Sequence, residues 1–187
     1  MNNLGNGLSI AKHHEDALSV QEAKLAMLRR LGATKSNILS LQGNLANTYQ
    51  ELGRLVESLH LRREVYLGYV NFRGEEHEEA LKSANNYAST ISCLGRFEEA
   101  KPLLRKTIPV ARRVLGESDQ LTPQMRSLCA RALYEDTGAT LDDLREAVNT
   151  LEEIEATARR VLGGSHPMTV RTQEILKFAQ KKLASFG

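Results

Sequence analysis

Asn44-Leu45-Ala46-Asn47-Thr48-Tyr49-Gln50-Glu51-Leu52-Gly53-Arg54 returns as Asn86-Tyr87-Ala88-Ser89-Thr90-Ile91-Ser92-Cys93-Leu94-Gly95-Arg96, an offset of 42 residues (95 − 53). Self-similarity at a fixed period of this size marks an array of stacked units rather than a single folded core. A second set of markers keeps the same step. Gly32, Gly74 and Gly116 each close an apolar-cationic run and lie 42 apart (74 − 32 and 116 − 74), and Gly163 follows 47 later (163 − 116). The excess has one location: Leu94-Gly95-Arg96-Phe97-Glu98-Glu99-Ala100 is matched by the longer Thr137-Gly138-Ala139-Thr140-Leu141-Asp142-Asp143-Leu144-Arg145-Glu146-Ala147, so the fourth unit carries a lengthened turn. At the front, Asn2 to Leu8 followed by Lys12-His13-His14-Glu15-Asp16-Ala17 fits the same template. The expected layout is one domain over 1–187, with repeats at approximately 1–34, 35–76, 77–118 and 119–165 and a terminal helix over 167–185.

Inside each unit the apolar period is helical. Leu81, Ala84, Tyr87, Ala88, Ile91 and Leu94 share one face, and Phe97, Ala100, Leu103, Leu104, Ile108, Ala111, Val114 and Leu115 share another. The glycine between the two runs ends the first helix, so each unit reads as a helical hairpin of helix A and helix B. One hairpin cannot bury both faces, and stacking supplies the missing cover. Thr140-Leu141-Asp142-Asp143 reads as a capping box, and Ser165-His166-Pro167 sets up the last helix. Composition agrees with an all-α chain: 41% hydrophobic, 26% charged, only 5% aromatic and no Trp.

The formal net charge of +2 offers no electrostatic case for nucleic acid or an anionic membrane. The Arg112-Arg113 and Arg159-Arg160 pairs read as cations complementing helix C-termini. No apolar run approaches the ~20 residues that span a bilayer, and Met1 to Asn6 lacks the blocks of a signal peptide, so a soluble chain in a reducing, cytoplasm-like compartment is expected. Cys93 and Cys129 lack a CxxC or His partner and read as buried small hydrophobes. His13-His14 falls in an expected turn, where adjacent side chains are awkward chelators, and no metal site, cofactor or catalytic constellation is expected. The chain is read as no enzyme.

The small-residue helix A, the turn glycine followed by Arg96-Phe97-Glu98-Glu99-Ala100, and the Arg159 to Pro167 linker together resemble the tetratricopeptide repeat. The 42-residue period, Asn2-Asn3-Leu4-Gly5, Asn85-Asn86-Tyr87-Ala88 and the Gly163 linker are similar to the repeats of kinesin light chains and nephrocystin-like proteins. The resemblance implies an all-α, right-handed superhelical solenoid of antiparallel hairpins, with helices A lining a concave face that binds protein or peptide. Carried onto this chain, the groove positions are Asn2, Asn3 and Asn6, then Ser40, Asn44 and Asn47, then Lys82, Asn85, Asn86 and Ser89.

A carboxamide carries both donor and acceptor, so an Asn ladder can satisfy the backbone of an extended peptide, while Lys82 offers a charge for an acidic side chain. The competing use of these amides is bonding within or between repeats. In the fourth helix A, Met125, Leu128, Cys129 and Ala132 replace polar residues. Either the groove turns apolar there, or these side chains pack against the terminal helix. The function implied is a scaffold or adaptor. The alternative is a structural subunit held through its ends or convex face, with self-association through an uncapped first repeat.

Overall fold

A computed structural model describes the backbone of residues 2–117 and 119–186 and the side chains of residues 13–117 and 119–186. Among these residues the secondary structure is eight α-helices: α1 (Asn2–Arg30), α2 (Lys35–Glu51), α3 (Leu55–Arg73), α4 (Glu78–Cys93), α5 (Phe97–Leu115), α6 (Leu121–Glu135), α7 (Leu141–Leu162) and α8 (Pro167–Ala184). The chain divides into two compact units, Met1–Leu94 and Gly95–Gly187.

A left-handed glycine marks every turn between the described helices except that between α6 and α7. Gly95 after α4 has φ +71° and Gly163 after α7 has φ +88°, in the left-handed region where a side chain would be strained, and the repeat-marking glycines Gly32, Gly53, Gly74 and Gly116 share that sign. Gly74, Gly116 and Gly163 are each followed three residues later by a cap for the next helix. His77 Nδ1 accepts from the Glu79 N–H at 3.1 Å, Asp119 Oδ1 from the Leu121 N–H at 2.8 Å, and His166 Nδ1 from the Met168 N–H at 3.2 Å. Thr140 and Asp143 form the capping box at the start of α7, with side chain and backbone bonded in both directions.

In the first unit α1 packs on α2, α2 on α3 and α3 on α4. Leu18 and Leu25 of α1 meet Leu41, Leu45 and Tyr49 of α2, and Leu39, Val65, Tyr69 and Ala80 form the adjoining cluster. Gly68 lets α3 approach α2 closely, since a Cβ there would lie 2.4 Å from Leu39 Cδ2. The first unit also corrects a sequence expectation. Residues 2–30 form one continuous helix, not a hairpin, and His13-His14 lies within it rather than in a turn. Between Leu8 and Ala17 no glycine or proline stands where Gly53 and Gly95 break the later units, so nothing interrupts the helical hydrogen bonds. The two histidines diverge: His13 is exposed, while His14 Nδ1 pairs with Glu51 Oε2 at 2.9 Å.

In the second unit α6 is the central helix, contacting α5, α7 and α8. Leu104, Met125, Leu133, Leu144 and Leu151 are the largest fully buried side chains of this unit. The lengthened turn between α6 and α7 is held by charge. Lys101 of α5 donates to Asp136 Oδ2 at 2.7 Å and to Glu98 Oε1 at 2.6 Å, and Asp136 Oδ1 accepts from the Gly138 N–H at 3.0 Å. From α8, Lys182 Nζ donates to the Tyr134 carbonyl at 2.5 Å and the Asp136 carbonyl at 3.1 Å, satisfying acceptors left at the end of α6. The hydrogen bond from Lys101, followed by that from Gly138, pulls the Asp136 carboxyl down to about 2.

Candidate functional site

The polar positions expected to contact a partner fall on α2 and α4 of the first unit. Ser40, Asn44 and Asn47 step by four and three along α2 and are all exposed. On α4, Lys82 and Asn86 are exposed, and Asn85 and Ser89 are half-buried. The opposite faces explain this placement: Leu41, Leu45 and Ala46 on α2, and Leu81, Ala84, Ala88 and Ile91 on α4, are buried and fix which side remains open. Asn3 and Asn6, with Asn2, lie outside the residues whose side chains are described.

The side chains divide into spent and unspent. Asn47 Oδ1 accepts from Arg62 Nη2 at 2.8 Å, which is the intra-repeat use of the amide. Lys82 is paired with Glu78 at 2.6 Å and Glu79 at 3.4 Å, and the hydrogen bond it donates to Glu78 holds its ammonium above the usual lysine value. Among the described residues the Asn44 and Asn86 side chains enter no hydrogen bond. Asn85 presents the sharpest case, a buried Oδ1 with no hydrogen-bond partner. An unsatisfied buried carbonyl costs roughly 1–3 kcal/mol.

α2 and α4 are joined at their C-terminal ends by Gln50, whose Oε1 accepts from Thr90 Oγ1 at 3.3 Å and from Arg62 Nη2 at 3.1 Å. Arg62 is the residue that sequence reading missed. It lies on the buried face of α3 with Ser58, Val65 and Tyr69, is 7% exposed, and leaves Nε without a partner. Desolvation pulls its guanidinium below the ordinary arginine value. The signal was available: a cation stands in the apolar phase of helix B, where Leu104 stands one period later (104 − 62 = 42).

The fourth helix A is different. Met125, Leu128, Cys129 and Ala132 of α6 are buried in the core of the second unit, so no open apolar stripe is formed there. Burial pushes the Cys129 thiol up to about 11, making it an inert core residue. Cys93 is exposed at the end of α4, contrary to the expectation of burial, because the helix turns into the Leu94-Gly95 loop at that point. Among the described residues no three His, Cys, Asp or Glu side chains gather as a metal site, and no helix is long and apolar enough to cross a membrane.

The tetratricopeptide repeat family model matches residues 37–113, which covers α2 through most of α5. Residues 37–113 are tetratricopeptide repeats. Two crystal structures of the nearly identical tetratricopeptide-like repeats of a Podosopora anserina chain described as a kinesin light chain superpose with TM-scores of 0.78 and 0.75. Their identities are 21% and 22%, and they cover 98% of this chain and 87% and 88% of theirs. BtubC (BKLC) from P. vanneervenii gives a TM-score of 0.78 at 17% identity, over 93% of this chain and 68% of its own. At these identities the likeness is one of fold, and the fold is the all-α tetratricopeptide type seen in kinesin-light-chain repeats. No curated protein matches the sequence. Tetratricopeptide repeats generally mediate protein–protein interaction and are generally non-catalytic.

Proposed function

We propose that this chain is a non-catalytic scaffold that holds an extended segment of a partner protein against the polar stripes of α2 and α4. The observation that carries the reading is the set of unspent carboxamides, Asn44, Asn86 and above all the buried, unpartnered Asn85 Oδ1. Each offers a donor and an acceptor at a fixed place on a helix whose other face is locked in the core, which suits the alternating N–H and C=O groups of a peptide backbone. Ser40 and Ser89 add hydroxyls on the same stripes. Asn47 contributes through its bond to Arg62, and Lys82 contributes a cation already shared with two glutamates. A net charge of only +2 favours a protein partner over nucleic acid. Two free thiols suit a reducing compartment such as the cytoplasm.

The test is panning of a random-peptide display library on the wild-type chain, followed by calorimetry of the enriched peptides against wild type and Asn44→Ala/Asn85→Ala/Asn86→Ala. Binding weakened by tenfold or more is expected. Enriched peptides that bind the triple variant as tightly as wild type would remove the polar stripes from the mechanism.

A further inference from the structure

The two sides of α1 have unlike jobs. Leu18, Leu25 and Leu28 turn inward onto α2. At about 100° per residue, positions 16, 20, 23 and 27 fall on the side facing away from Leu18 and Leu25, continued by 13 at one end and 30 and 31 at the other. Those residues are His13, Asp16, Val20, Ala23, Met27, Arg30 and Leu31, and every one is exposed. Val20 is 67% exposed, Met27 55% and Leu31 63%, so large aliphatic side chains stand in water along the face that would ordinarily be charged. Steps of four and three over these residues give a stripe roughly 27 Å long that stays on one side of the helix.

The geometry points to a second copy of this chain as the occupant, α1 lying antiparallel on α1 about a two-fold axis beside Ala23. The stripe is complementary to itself in that orientation and in no other. Antiparallel pairing about Ala23 brings Val20 against Met27 of the second copy twice over, with the small Ala23 at the crossing allowing close approach of the backbones. The charges agree: the N-terminal end of the stripe is acidic through Glu15 and Asp16, and its C-terminal end is basic through Arg29 and Arg30. Among the described residues Asp16, Arg29 and Arg30 form no ion pair, and antiparallel pairing sets Asp16 beside Arg30 of the second copy. Parallel pairing would set like charges together. Docking of α1 on α8 of another copy would bring Arg29 and Arg30 toward Arg171, Lys177 and Lys181, again like on like. One helix pair of this length buries less than the roughly 1,600 Å² of a standard interface, so the dimer is a weak one, with a Kd on the order of 10⁻⁵–10⁻⁴ M.

Sedimentation velocity of the full chain from roughly 5 to 500 µM brackets that Kd. A shift from monomer toward dimer is expected, with Val20→Glu/Met27→Glu weakening association by about tenfold or more. Asp16→Arg and Arg30→Asp should each weaken it, and the double swap Asp16→Arg/Arg30→Asp should restore it, an outcome that loss of folding cannot imitate. A chain that stays monomeric throughout overturns the proposal. So does association that ignores Val20→Glu/Met27→Glu, that responds to Phe178→Glu on α8 instead, or that the double swap fails to restore.

Discussion

Among the described residues each unit buries one cation, and the two are treated in opposite ways. In the first unit Arg62, 7% exposed, reaches only the neutral amides of Asn47 and Gln50 and leaves Nε unmet. In the second unit Lys101, 9% exposed, meets two carboxylates, and its partner Asp136 is further tied to Gly138. The surroundings follow suit. On the helices A of the first unit Asn44 and Asn86 stand exposed, whereas Met125, Leu128, Cys129 and Ala132 of α6, which packs on the α5 of Lys101, are apolar and buried. The same repeat can therefore be closed by a completed ion pair or left with open polar valences, and only the second arrangement leaves something for a partner to satisfy.

This contrast can be broken from either side. The largest effect is expected from Asp136→Asn, which strands Lys101 with the exposed Glu98 alone. A loss of about 2–3 kcal/mol in urea denaturation should follow, below the 3–5 kcal/mol of a fully broken buried pair because Glu98 remains. Acid should reproduce it. The Asp136 carboxyl falls from an ordinary value of 3.8 to about 2 in the folded chain, so its contribution is complete above pH 4 and is lost as pH drops through 2. Circular dichroism between pH 5 and pH 1.5 should show about 2 kcal/mol of stability disappearing in that window, and less in Asp136→Asn. Thr140→Ala removes half of the capping box beside the same turn and should cost about 1 kcal/mol by thermal melting. The smallest effect belongs to the other cation. Arg62→Met exchanges a desolvated charge that has no carboxylate for an apolar chain of similar length, and stability should stay within about 1 kcal/mol of wild type. A loss as large as that of Asp136→Asn would mean that the amide contacts of Arg62 are worth as much as an ion pair.

Local features were the legible ones. The marker glycines all carry positive φ, and the Thr140 capping box forms, because a turn or a cap is decided by residues within four positions of one another. The open sides of α2 and α4 could be read for the same reason: a period of 3.6 fixes which positions share a face. What escaped depends on distant pairs or on a missing signal. Lys101 and Asp136 are 35 positions apart, and neither is unusual in its own stretch. Arg62 stands in an adjacent pair, Arg62-Arg63, and only the 42-residue register with Leu104 marks which of the two falls in the buried phase of α3. The hairpin expected at the front is absent because the polar stretch His13-His14-Glu15-Asp16 has the composition of a turn but contains nothing that stops a helix. Polarity alone does not end a helix, and glycine does so at the later turns.

Lys182 holds the carbonyls of Tyr134 and Asp136 from 48 and 46 positions away. During synthesis the chain emerges from its N-terminal end, so residues 134–140 must wait until position 182 has left the ribosome before this turn receives its last donor. Until then the carbonyls at the end of α6 depend on water, and the second unit is an unfinished loop on a nascent chain. Its closing step is thus timed by the arrival of α8, a delay of a few seconds at ordinary rates of roughly 5–20 residues per second.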